Sequence, residues 1–160
     1  MPDLLVKLYD MPENDTHERM AKEGIVIKRA MAMNRCQISE FVNANFSDHS
    51  VNWGSECERA IFNDPSTCYI ALRGSELIGF ACYDAGTLNY FGPTGVLKSE
   101  RGKGIGKALL FKCMESMKEK GYAYAIIGWA VDAVPFYEKA VNAVVIEGST
   151  PDKSIFYHRI

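Results

Sequence analysis

Hydrophobic and polar positions alternate along this chain in runs short enough to be assigned one at a time. Gly24 to Ala30 reads Gly-Ile-Val-Ile-Lys-Arg-Ala, a β-branched run that predicts the first core strand. From Asn34 to Phe46 the apolar residues Ile38, Phe41, Val42 and Phe46 fall at helical spacing. A polar loop, Ser47 to Asn52, leads to a second short helix from Trp53 to Phe62. Thr67 to Leu72 and Leu77 to Tyr83 read as strands joined through Arg73-Gly74-Ser75-Glu76, a hairpin by its turn chemistry. After the turn Asp84-Ala85-Gly86, Leu88 to Leu97 is the third strand of the meander. Gly92, Pro93 and Gly95 interrupt its ladder, which marks a bulge or the close approach of another group.

The strongest helix runs from Ile105 to Lys120. Leu110, Cys113, Met114 and Met117 form its apolar stripe, Lys112, Glu115, Lys118 and Glu119 lie outside it, and Gly121 stops it. Tyr122 to Val131 is nearly continuously apolar, as a strand covered on both faces should be. Asp132 is placed to cap a further helix with Pro135 in its first turn and Ala133, Phe136, Tyr137, Ala140 and Val141 on its apolar face. Val144 to Gly148 and Ser154 to Arg159 predict two closing strands across Ser149-Thr150-Pro151-Asp152. At the other end, Leu4 to Tyr9 alternates weakly enough for a short extra strand, and Met11 to Glu23 reads as a loop or a marginal helix.

The whole chain of 160 residues suits one domain, with residues 1–23 as an N-terminal extension. Composition narrows the chemistry by exclusion. With 48% hydrophobic residues, 24% charged residues and a net charge of −2, nothing marks a nucleic-acid binder. No apolar run reaches membrane-spanning length and no signal segment opens the chain. Five widely spaced cysteines form no metal-ligand or disulfide pattern, so no metal is expected and a cytoplasmic setting is.

The candidate chemistry lies in Arg101-Gly102-Lys103-Gly104-Ile105-Gly106, between the third meander strand and the strongest helix. Strand, glycine-rich turn and helix start together cradle a phosphate, because the first N–H groups of a helix have no partner inside it and its dipole favours an anion there. Arg101, Lys103 and Lys107 surround the turn with positive charge. The stretch is not a P-loop, since Arg101 and Ala108 stand where Gly and Ser or Thr are required. Nor is it a dinucleotide fingerprint, because the third glycine falls on Lys107 or Leu109.

What remains, Arg-x-x-Gly-x-Gly, resembles motif A of the GNAT superfamily of acyl-coenzyme A N-acyltransferases. Val96-Leu97-Lys98-Ser99-Glu100-Arg101 is similar to the end of that family's fourth strand, and Pro135-Phe136-Tyr137-Glu138-Lys139 to its Phe-Tyr-Glu-Lys helix. The resemblance implies an α/β (α+β) fold: a mixed, mostly antiparallel sheet of about seven strands, splayed in a V between the fourth and fifth, with about four flanking helices. It implies acetyl-CoA as cosubstrate and transfer of the acetyl group to a primary amine by direct attack in a ternary complex. The pantetheine amides would bond main chain at Val96 and Leu97, and the pyrophosphate would take the N–H groups of Gly102, Lys103, Gly104, Ile105, Gly106 and Lys107. An N–H near Val96 would face the thioester oxygen.

Tyr137 matches the family's tyrosine and is the candidate general acid, although periodicity alone makes it a core residue. Ala130 stands where the family often has a pantetheine-binding Asn, with Asp132 a possible substitute. No acid occurs in Leu88 to Leu97, where many members carry a base, leaving Asp84, Glu56 and His49 as candidates by topology. A water chain from backbone carbonyls would also serve. Cys57 is the one thiol placed for a ping-pong route. The expected partner is a small-molecule amine, with neither nucleic acid nor membrane, for a monomer or homodimer. The alternatives are a non-catalytic acyl-CoA-binding module and a protein or peptide N-acetyltransferase.

Overall fold

A computed structural model describes residues 2–46 and 52–157. Its seven strands are β1 (Leu4–Lys7), β2 (Ile25–Arg29), β3 (Cys68–Arg73), β4 (Glu76–Tyr83), β5 (Tyr90–Val96), β6 (Tyr124–Ile127) and β7 (Val144–Val145). Its five helices are α1 (Thr16–Lys22), α2 (Arg35–Asn45), α3 (Trp53–Ile61), α4 (Ile105–Lys120) and α5 (Val134–Val141). The strands form one sheet in the order β2-β3-β4-β5-β6-β1-β7. Every pairing is antiparallel except that of β5 with β6.

The two faces of the sheet bury separate cores. Tyr69 and Ala71 of β3 and Ala81 and Tyr83 of β4 face α4, whose Leu109, Leu110, Met114 and Met117 are all buried. Cys68 and Ile70, with Phe80 and Cys82, face α2 and α3 through Ile38, Val42 and Ile61. This is the period-two alternation of strands sandwiched between helices. The β3–β4 hairpin closes at Arg73 opposite Glu76, with Gly74 at φ 61 supplying the left-handed residue of the turn.

Two predicted strands are corrected. Tyr122 to Val131 is a strand only over Tyr124–Ile127, because Trp129 and Val131 take positive φ values of 51 and 41 and turn the chain out of the sheet. Of Ser154 to Arg159, the described part forms a turn and no strand. The slot beside β6 is taken by β1, which pairs β6 on one side and β7 on the other and buries Leu4 and Val6 completely. The weakly patterned N-terminal extension is therefore part of the sheet, and its marginal helix is α1, the fifth helix. Asp132 does not cap α5: the capping position is Ala133, and Asp132 lies in a short 3-10 turn before it.

Candidate active site

The site begins with a defect in the sheet. Ala81 pairs with Thr94 and Tyr83 with Phe91, so two residues of β5, Gly92 and Pro93, stand opposite Cys82 alone. This is the bulge expected from the glycines and proline. On its other edge β5 meets β6 only at Tyr90 and Phe91. The strands then part, and the edge of β5 beyond Phe91 has no strand partner. This is the predicted splay, between the fifth and sixth strands once β1 is counted.

The splay opens a cavity of about 420 Å³. Phe91, Thr94, Gly95 and Val96 of β5 line one wall, Arg101, Gly106 and Leu110 the start of α4, and Ala133, Phe136 and Tyr137 the α5 side. Gly95 is required for the close packing here, since a Cβ on it would lie 2.5 Å from the Phe46 ring. Among the described residues that line it there is no carboxylate and no histidine.

At the mouth, Gly104 precedes α4 at φ 84, a left-handed conformation suited to glycine, and no side chain caps the helix. The first intrahelical bond runs from the N–H of Ala108 to the carbonyl of Gly104, so the N–H groups of Ile105, Gly106 and Lys107 have no helical acceptor. Ile105 contributes its amide alone, since its side chain is in the core. Arg101 donates its Nε–H to the Val96 carbonyl at 3.2 Å, holding the turn against the end of β5. Glu100 grips the same turn: it accepts from Arg73 at 2.9 and 3.3 Å and from Lys103 at 2.9 Å. Arg73 first, then Lys103, hold its carboxyl down to about 2. Lys103, expected to face a phosphate, thus has its ammonium on Glu100.

Tyr137 is 7% exposed and lines the cavity. Its ring packs edge-on against Phe91 and Phe136, with centroids 6.2 and 5.1 Å apart. Its hydroxyl has no hydrogen-bond partner among the described residues, and burial pushes its pKa up to about 12. At the cavity wall this hydroxyl is therefore free to bond an atom that enters the cavity.

Other expectations are corrected. Leu97 has its N–H engaged, donating to the Ile78 carbonyl at 3.0 Å, and its carbonyl accepts from the Glu100 N–H at 2.9 Å with one lone pair still available. Asp84 is buried and fully engaged, accepting from Lys120 at 2.6 Å, from the Tyr122 hydroxyl at 3.1 Å and from the Asn89 N–H at 2.7 Å. Its partner Lys120 ends α4, roughly 20 Å along the helix axis from Gly106. Glu56, on α3, lies against Gly86 and outside the cavity lining. His49 lies outside the described residues. Cys57 is fully buried with its Sγ 3.7 Å from that of Cys82, and its hydrogen bond with Cys68 and its burial push the thiol well up, which disqualifies it as a nucleophile. The sequence did not single out Thr94, Leu110 or Ala133, because cavity-lining apolar and small residues look like any others in a strand or helix.

Sheet order, splay and the glycine-rich turn before α4 together define an acyltransferase fold of the GNAT type. The family model "Acetyltransferase (GNAT) family" matches residues 38–142, and the chain belongs to that family. None of the curated proteins compared matches it. Among solved structures it is similar to the GCN5-related glucosamine N-acetyltransferase region of a fungal multi-domain GH3 β-N-acetylglucosaminidase, with a TM-score of 0.72 at 19% identity over 91% of this chain and 19% of the other. It is also similar to a GCN5-related N-acetyltransferase from Sphaerobacter thermophilus, with a TM-score of 0.68 at 20% identity over 91% of this chain and 48% of the other. A third, from Kribbella flavida, has a TM-score of 0.60 at 17% identity over 90% and 53%. These likenesses are of fold, and the chain spans between a fifth and about half of those proteins' lengths.

Proposed function

We propose that this protein is an N-acetyltransferase that moves the acetyl group of acetyl-CoA onto the primary amine of a small molecule within a ternary complex. The observation that carries the reading is Tyr137, a buried residue whose hydroxyl stays protonated and bonds to no described residue, at the wall of a cavity that also ends on the uncapped start of α4. Acetyl-CoA supplies an activated acyl group with a thiolate as leaving group. The residues fit it: the unpaired edge of β5 suits the extended pantetheine, whose amides can add to it as a strand would. The N–H groups of Ile105, Gly106 and Lys107, with Arg101 beside them, suit the diphosphate.

Tyr137 holds a proton at the α5 wall and donates it to the departing sulfur. The burial that raises its pKa would raise that of a thiolate in the same cavity by the same cause, so donor and acceptor stay matched. The bulge at Gly92 and Pro93 disrupts the β4–β5 ladder, and a main-chain N–H of β5 left without a ladder partner would serve as donor to the thioester oxygen. No carboxylate stands among the described residues that line the cavity, so water held by backbone carbonyls takes the proton that the attacking nitrogen releases, and the same water reprotonates Tyr137 after the phenol has given its own proton to sulfur.

The lack of an acid in β5 and among the described lining residues favours a second reading, a module that binds acyl-CoA without turnover. Thiol release from acetyl-CoA across a panel of amino acids, polyamines, aminoglycosides and peptides separates the two. Amine-dependent release is expected; binding without release from any amine overturns the enzyme reading.

A further inference from the structure

We infer that Arg19, on the N-terminal helix α1, is a phosphate ligand of the coenzyme site, so that residues 1–23 form part of that site. The inference rests on the coenzyme reading above. Residue 19 lies outside the stretch that matches the family model. Yet α1 brings its guanidinium to the turn before α4: Nη2 lies 3.6 Å, and Cζ 3.8 Å, from the point where a Cβ on Gly104 would stand. Gly104 has no Cβ, so the guanidinium rests beside the bare backbone that starts the helix.

The placement is built rather than incidental. Met20, the next residue, is buried and reaches within 3.7 Å of the same point. Thr16 at the start of α1 is buried, and His17 meets Glu115 of α4 at 3.1 Å. The segment is anchored at its beginning too: β1 is inserted in the sheet, and the Asp3 carboxylate accepts the Trp129 N–H at 3.3 Å beside the splay.

Electrostatics favour a ligand role over a solvated surface arginine. Of the cations around the turn, Lys103 is paired with Glu100 and Arg101 donates to the Val96 carbonyl. Arg19 makes no side-chain hydrogen bond or ion pair among the described residues, and its five N–H donors are free for a planar fork on phosphate oxygens. Arg19 thus stands at an uncapped helix start whose neighbouring Lys103 and Arg101 already have protein partners. The cavity beginning at Arg101 and Gly106 ends on Tyr137, a side chain more than nine-tenths buried whose hydroxyl has no partner among the described residues, an independent sign that a ligand spans it. The phosphate read by Arg19 is either the diphosphate or the 3′-phosphate of the ribose.

The test is the affinity of coenzyme A and of 3′-dephospho-coenzyme A, measured by calorimetry at one salt concentration, for wild type, Arg19→Gln, Arg19→Lys and Arg101→Gln. Arg19→Gln is expected to weaken coenzyme A by about tenfold or more, with an unchanged thermal midpoint without ligand, and Arg19→Lys to recover part of the loss. A loss that persists with dephospho-coenzyme A assigns Arg19 to the diphosphate; one that disappears assigns it to the 3′-phosphate. Wild-type affinity in Arg19→Gln, alongside a clear loss in Arg101→Gln, overturns the inference and leaves the coenzyme site standing. A lowered ligand-free midpoint in both Arg19 variants, with no recovery by lysine, makes the residue structural and also overturns it. If wild type binds neither compound, the coenzyme reading fails, and this inference with it.

Discussion

Removing a single oxygen tests the proposed chemistry. Tyr137→Phe keeps the ring against Phe91 and Phe136 and deletes only the hydroxyl. That hydroxyl is bonded to no described residue, so its loss leaves no orphaned partner. Deleting an unsatisfied buried polar group is neutral or stabilising, and the variant should lie within about 1 kcal/mol of wild type at neutral pH. Above pH 10 the order should change. The unfolded chain ionises this phenol near the ordinary value of 10.0, whereas the folded protein holds the proton up to about 12. Tyr137 therefore supports the fold fully below pH 10 and less with each step towards pH 12. The loss is roughly 2–3 kcal/mol, and the phenylalanine variant escapes it. Catalysis should move far more than stability. If the phenol protonates the leaving sulfur, turnover falls about 10²-fold or more while acetyl-CoA affinity hardly changes. Thiol release, calorimetric affinity and denaturation at pH 7 and pH 11 measure the three quantities on one variant. Undiminished turnover in Tyr137→Phe would remove the residue from the mechanism.

Three other outcomes follow from the geometry. Acetyl-CoA at a hundredfold excess over its Kd should stabilise wild type by about 2.7 kcal/mol, a rise of about 5–10 °C in Tm, and Arg101→Glu should abolish the rise measured from its own ligand-free Tm, as differential scanning fluorimetry would report. Asp84→Asn should cost stability, about 1–3 kcal/mol by urea denaturation, because it weakens the bonds from Lys120 and Tyr122; turnover per folded molecule should fall less than about 10²-fold, and a larger fall would make Asp84 the base. Glu100 is held down to about 2, so its support of the turn is present above the ordinary value of 4.5 and is lost as pH falls through 2; Arg73→Gln should move its carboxyl titration, followed by NMR, back towards 4.5.

How legible the site was in the sequence depended on what each feature is made of. Helix α4 was predicted at its observed bounds because its stripe, its glycine stop and its glycine-rich start are all local signals. The bulge in β5 was legible for the same reason, since Gly92 and Pro93 carry it in their own backbones. The end of β6 was not. Gly128 to Val131 stays apolar, and the turn is made by positive φ at Trp129 and Val131, residue types that give no warning of it. The slot beside β6 was a contest between two segments of similar pattern, Leu4–Tyr9 and Ser154–Arg159, and single-sequence alternation cannot say which one pairs. That the Leu97 N–H is taken by the Ile78 carbonyl could not be read either, since it is a fact of pairing rather than of residue type. Arg19 could not be singled out, because only the packing of α1 against α4 gives its position meaning.

The central claim is that the splay between β5 and β6 is the coenzyme site. A crystal structure with coenzyme A bound tests it most directly. The account predicts the pantetheine laid along β5 from Thr94 to Val96, the diphosphate on the N–H groups of Ile105, Gly106 and Lys107, and the sulfur within hydrogen-bonding reach of the Tyr137 hydroxyl. Coenzyme A seated elsewhere, with this cavity left to solvent, would contradict it.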